Sequence, residues 1–148
     1  MSPHTRLLFV YGSLKRGHSN HERIKRYNGV FLGPVETLEG FELRFLHRGM
    51  AGVATMIRSS SGTVLGELYR VPDIRPLNVF EGHPYYYRLE EIIIKNEAGK
   101  SKKVWAYIFQ PLHELNGMDS SPITDGDYRE RDWIFNKNPK KPIKTGIE

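Results

Sequence analysis

The chain has 148 residues, 39% of them hydrophobic and 26% charged, with a formal net charge of +5. That length suits one ordinary domain, which buries roughly 70% of the surface its unfolded chain exposes, and the composition argues against disorder over most of the chain. The absence of cysteine excludes disulfides, thiolate metal sites, iron–sulfur clusters and a cysteine nucleophile. The apolar run at residues 7–11 is far too short for a signal h-region or a membrane span, so a cytoplasmic protein with no membrane association is expected.

Leu7 to Tyr11 reads as a buried strand that delivers its carboxyl end to a glycine-containing loop. In that loop Gly12 and Gly17 have the spacing of a phosphate-binding P-loop and Ser19 takes its last position. Residue 18, however, is His instead of the Lys that would reach the phosphates. His21 to Tyr27 follows as a short helix capped by Ser19 or Asn20. From Gly29 to Phe45 apolar residues fall near alternate positions, as in antiparallel strands, and Gly49 and Gly52 then punctuate a loop. Val53 to Arg58 and Val64 to Val71 flank the turn sequence Ser59-Ser60-Ser61-Gly62 and suggest a hairpin.

The clearest helix starts near Asp73, which can cap it, has Pro76 in its first turn, and is stopped by Gly82 and Pro84. Leu77 and Phe80 are expected to face the core, with Glu81 last in the helix. Tyr87 to Lys95 and Lys102 to Phe109 enclose Asn96-Glu97-Ala98-Gly99 as a second hairpin. Short strands and short helices without regular β-α alternation indicate an α+β domain on a curled mixed or antiparallel sheet, covering residues 1–136. Lys137, Lys140, Lys141 and Lys144, interleaved with Pro139 and Pro142, make residues 137–148 a basic, solvated tail.

Glu81 faces the negative end of the helix macrodipole among apolar neighbours, and both effects raise a carboxyl pKa towards the range a proton shuttle needs. On spacing alone a solvated helix-end glutamate is the simpler reading. Tyr85, Tyr86 and Tyr87 follow, and on an alternating strand Tyr85 and Tyr87 would share a face. Strand packing accounts for at least one of them. Gly12, Ser13 and Leu14 can turn successive N–H groups towards an anion, carboxylate or phosphate alike. Ser13 lies outside any Gly-x-Ser-x-Gly elbow. The histidines lack metal spacing, so no metal is expected; His18 and His21 suggest a polar helix face, and Asp125, Asp127, Glu130 and Asp132 a solvated acidic loop.

Val10-Tyr11-Gly12-Ser13-Leu14-Lys15-Arg16-Gly17, Gly66-Glu67-Leu68-Tyr69-Arg70-Val71, and Phe80-Glu81-Gly82-His83-Pro84 with Tyr87-Arg88, in that order, resemble the γ-glutamylcyclotransferase-like family. The closest style is that of γ-glutamylamine cyclotransferase and the enzyme that deprotects butirosin. The resemblance implies a small mixed β-barrel flanked by short helices, Glu81 as the catalytic group, and a substrate cradle from Tyr11, Gly12, Ser13 and Leu14, with Tyr87 beside it. It implies a small-molecule γ-glutamyl partner, release of 5-oxoproline without a cofactor, and a monomer or weak homodimer. Two departures stand out: Asn78 replaces the family's usual Asp three residues before the glutamate, and residues 48–52 replace a proline-containing stretch. The alternatives are a non-catalytic module binding a small carboxylate, and a nucleic-acid accessory protein acting through its tail, although no nucleic-acid-reading motif accompanies the charge.

Overall fold

A computed structural model describes residues 2–48, 51–112 and 120–134. The elements are β1 (Arg6–Val10), α1 (His21–Arg26), β2 (Val30–Thr37), β3 (Phe41–Arg48), β4 (Ala51–Arg58), β5 (Leu65–Val71), α2 (Arg75–Glu81), β6 (Tyr87–Asn96), β7 (Ser101–Phe109), β8 (Ser120–Pro122) and α3 (Glu130–Ile134). The mixture is the α+β class expected. The basic stretch 137–148 lies outside the described residues.

Strands β1, β5, β2, β6 and β7 close into a barrel in that order. Its seam is a parallel pairing of β1 with β7, Leu8 opposite Trp105 and Phe9 opposite Ala106, while the other pairings in the barrel are antiparallel. The sheet is therefore mixed. A parallel pair cannot be joined by a tight turn, and here the whole chain from α1 to β6 intervenes.

From Leu7 to Val10 strand β1 is apolar, because both its faces are covered there. Phe9 joins the cluster formed with Leu68, Ile92, Ile94, Val104, Ala106 and Ile108. Its neighbours Leu8 and Val10 point the other way, as the two-residue strand period requires, into a second cluster with Ile24 of α1, Leu77 of α2, Tyr69 and Tyr107. The two helices are thus held against one flank of the barrel, next to the end of β1. Among the described residues no helix is long and apolar enough to cross a membrane.

The hairpin of β6 and β7 forms as expected, Tyr87 pairing with Phe109 and Lys95 with Ser101. The hairpin expected between residues 53–58 and 64–71 does not. Strand β4 pairs instead with β3, from Phe41 opposite Arg58 to Arg48 opposite Ala51, in a separate sheet of order β4-β3-β8. Gly52, expected in a loop, lies in β4 opposite His47. Strand β5 enters the barrel between β1 and β2. The serine-rich turn marks a change of direction but carries no information about which strand becomes the partner.

Gly66 is where β5 meets β1 most closely: a Cβ there would collide with the Val10 carbonyl oxygen and lie 2.8 Å from the Phe9 ring. Gly66→Ala should therefore destabilise the domain by about 1–3 kcal/mol through overpacking. Chemical denaturation checks this, and an unchanged midpoint would contradict the observed approach of the strands.

Candidate active site

Helix α2 is built to present its last residue. Leu77 is fully buried and anchors it, Pro76 occupies its first turn, and Gly82 ends it in the left-handed conformation (φ 69°) that glycine adopts without strain. The Gly82 N–H then reaches the Val79 carbonyl and the His83 N–H that of Asn78. Asp73 contributes its cap from one position earlier than expected, accepting the Arg75 N–H at 3.1 Å, while Ile74 occupies the cap position itself. Glu81 is the final helical residue. Phe80, expected in the core, is 39% exposed, because so short a helix needs only Leu77 to face inward.

Glu81 lines a cavity of about 170 Å³. Tyr11, Gly12, Ser13, Leu14 and Tyr87, the other residues singled out from the sequence, line the same cavity. Segments about seventy positions apart thus converge on one space. The strand of the tyrosine cluster starts only at Tyr87, so the expected shared face of Tyr85 and Tyr87 is absent. Tyr85 stands on the turn after α2, 86% exposed, where its N–H and that of Tyr86 both reach the Gly82 carbonyl.

The loop after β1 directs its carbonyls into itself. Gly12 O accepts the Lys15 N–H, Ser13 O the Asn20 N–H, and Leu14 O lies 2.9 Å from His21 Nδ1. No hydrogen bond among the described residues occupies the N–H groups of Gly12, Ser13 or Leu14. The loop's left-handed glycine is Gly17 (φ 79°), not Gly12. Ser13 Oγ accepts from Asn20 Nδ2 at 2.8 Å, which leaves its own O–H available as a donor. His18 is not on a helix face: its Nδ1 lies 3.0 Å from Arg16 O and its Nε2 3.2 Å from Tyr128 O, pinning the loop.

Three tyrosine hydroxyls on the cavity wall already donate to protein acceptors. Tyr11 OH reaches Tyr107 O at 2.7 Å, Tyr107 OH reaches Asn78 Oδ1 at 2.7 Å, and Tyr87 OH reaches Ala54 O at 3.3 Å. With their protons committed these oxygens can meet a ligand only as acceptors, and that of Tyr11 already accepts from the Met56 backbone. Burial and the nearby Glu81 charge push the Tyr11 and Tyr107 hydroxyls well above the usual phenol range, so both stay protonated. Burial raises the Glu81 carboxyl from 4.5 to about 7 against the opposing positive charge of Arg23 on α1. The Arg23 guanidinium lies 3.8 Å from the centre of the Phe80 ring, beside the carboxylate.

The sequence model of the family described as gamma-glutamyl cyclotransferase, AIG2-like, matches residues 8–130 of this chain. The chain belongs to that family. Two curated relatives, both carrying the name "putative gamma-glutamylcyclotransferase", cover it widely. The one from Methanocaldococcus jannaschii is 30% identical over 126 residues, 83% of this chain and 95% of its own length. The one from Vibrio cholerae is 31% identical over 127 residues, 84% of this chain and 96% of its own. Among solved structures, an AIG2-like protein from mouse is similar with a TM-score of 0.68 and 25% identity, covering 86% of this chain and 90% of its own.

Within this AIG2-like domain, several cavity residues escaped sequence reasoning. Tyr107 looked like one more aromatic of β7, and only the barrel seam turns it towards Glu81. Ser19, Asn20, Tyr128 and Glu130 also line the cavity. The acidic stretch is not simply solvated: Asp127 pairs with Lys15, Glu130 holds Ser19, and the Arg129 guanidinium binds Asp125, Asp127 and Asp132. No local pattern marks such partners, which lie more than a hundred positions from the loop they touch.

Because the folded carboxyl binds its proton more tightly than the unfolded one, stability falls as pH rises from about 4.5 through about 7. Glu81→Gln should therefore be more stable than the unmodified protein at pH 8, by on the order of 2 kcal/mol, with the gain vanishing towards pH 4.5. Thermal denaturation across this range tests the sign. Asn78→Asp adds a carboxylate one helical turn from Glu81 and should move its titration upwards, as read by carboxyl ¹³C NMR.

Proposed function

We propose that this protein is a γ-glutamylamine or γ-glutamyl-peptide cyclotransferase that releases 5-oxoproline by intramolecular aminolysis. In a γ-glutamyl amide the α-amine can reach the side-chain carbonyl. The new C–N bond closes a five-membered lactam, and the old C–N bond breaks to expel the attached amine. The atoms balance without water or a cofactor.

The α-amine is mostly an ammonium near neutrality, so the reaction needs a base first and an acid for the leaving amine afterwards. Glu81 takes both roles: the attacking nitrogen sheds two protons in going from ammonium to lactam N–H, and Glu81 relays them to the departing nitrogen, which leaves as an ammonium. The observation that carries this reading is the shared cavity: a carboxyl with a pKa of about 7 lines the same space as the uncommitted N–H groups of Gly12, Ser13 and Leu14. Those N–H groups and the Ser13 hydroxyl receive the substrate's α-carboxylate. Tyr11 and Tyr87 wall the glutamyl chain and face it with lone pairs, since their protons are donated elsewhere.

A positioned acid–base contributes about 10²–10⁴-fold, whereas holding the chain folded for ring closure is worth effective molarities of roughly 10⁵ M or more. The larger share of catalysis therefore belongs to the cradle. A Ser13 nucleophile is disfavoured: its Oγ is held by Asn20, and the neighbouring His21 ring is engaged with the Leu14 carbonyl.

Incubation with a panel of γ-glutamyl amines and peptides should release 5-oxoproline. With a substrate found that way, Glu81→Gln should lower kcat by about 10²–10⁴-fold, and kcat/KM of the unmodified protein should rise with pH through a limb near 7. Full turnover by Glu81→Gln would remove the assigned role. Calorimetric binding of glutamate-like ligands without product would replace the enzyme by a binding module.

A further inference from the structure

The cradle loop owes its shape to a segment from the far end of the chain. Three of its residues contact that segment in register. Lys15 Nζ lies 2.7 Å from Asp127 Oδ1, with the lysine side chain only 8% exposed. His18 Nε2 lies 3.2 Å from Tyr128 O. Ser19 donates its N–H to Glu130 Oε1 at 3.0 Å and its hydroxyl to Glu130 Oε2 at 2.6 Å. A carboxylate that takes both donors of one residue fixes that residue's orientation, and hydrogen bonds to a charged acceptor are about twice as strong as neutral ones.

The constraint passes on to the substrate side. Asn20, next to Ser19, grips Ser13 twice, N–H to Ser13 O at 2.9 Å and Nδ2 to Ser13 Oγ at 2.8 Å. The segment can serve as a fixed point because it is itself held. Gly126 O accepts the Leu65 N–H at 2.7 Å, Tyr128 is buried and stacks on Phe45 of β3, and Arg129 joins Asp125, Asp127 and Asp132. The loop is thereby tied to the β4-β3-β8 sheet as well as to the barrel.

We propose that Glu130 is a positioning residue for the glutamyl cradle, acting through Ser19 and Asn20 on Ser13 and on the N–H groups of residues 12–14. This rests on the cyclotransferase reading for its kinetic consequences, though not for its structural ones. Removing the clamp loosens a cradle that both binds the glutamyl end and holds it folded for ring closure, so kcat/KM falls through KM and kcat together.

Two measurements on the full chain test it: hydrogen exchange of the bonded loop amides, Lys15, His18, Ser19 and Asn20, and steady-state 5-oxoproline release from a γ-glutamyl alkylamide. Glu130→Ala should speed exchange of the Lys15, His18, Ser19 and Asn20 amides at least tenfold and lower kcat/KM about tenfold. Glu130→Gln, which still accepts the Ser19 N–H, should restore most of both. Asn20→Ala should speed exchange of the Lys15 amide, which is held by Gly12 O, while the Ser19 amide stays protected, and should add little to Glu130→Ala in the double variant. Unchanged exchange in Glu130→Ala overturns the proposal. So does a Gln variant as impaired as the Ala variant, which would mean that the charge itself meets the substrate. If no γ-glutamyl compound is turned over, the functional reading falls alone, and the exchange data still decide the clamp.

Discussion

Leu8 and Phe9 of β1 lie beside Trp105 and Ala106 of β7 in the parallel pairing that closes the barrel, and that seam brings the loop after β1, β7 and the helix carrying Glu81 to one cavity. The pairing sets the loop after β1 alongside β7, where Tyr11 OH can reach Tyr107 O. Tyr107 in turn reaches Asn78 on α2, three residues before Glu81. One hydrogen-bonded chain therefore runs from the cradle through the seam to the helix that carries the carboxyl. Opening the seam would separate the base from the cradle while leaving each local element intact.

The electrostatics of the cavity follow from how its donors are already committed. The hydroxyls of Tyr11, Tyr87 and Tyr107 give their protons to protein acceptors, so the aromatic walls offer Glu81 no stabilising hydrogen bond. Desolvation then dominates, and the carboxyl sits near neutrality with only Arg23 opposing the shift. Asn78 matters here because it is uncharged: it accepts the Tyr107 proton as a carboxylate would, without adding a second negative charge on the same face of α2. An asparagine here thus keeps the hydrogen bond without the field that an aspartate would add.

Much of the frame was legible in the chain itself. Leu7 to Tyr11, the helix ending at Glu81-Gly82 and the hairpin around Asn96-Glu97-Ala98-Gly99 were visible because hydrophobic period, proline position and turn residues are local signals, and the structure keeps all three. Partner choice was not visible. Residues 53–58 and 64–71 flank a turn that any hairpin could use, yet they belong to different sheets, since strand pairing is decided by which apolar faces meet. Likewise Phe80 has the helical spacing of a core residue but stands at the cavity rim.

The sequence by itself determined an α+β domain, the position of a carboxyl at a helix end, and a glycine-bearing loop after the first strand, because each depends on residues within a few positions of one another. Only the tertiary structure decided that carboxyl and loop share a cavity, that Tyr107 and Asn78 link them, and that Asp127, Tyr128 and Glu130 hold the loop in shape. These are contacts between segments tens to more than a hundred residues apart. Their energies arise from desolvation and hydrogen bonding that exist only once the barrel has closed.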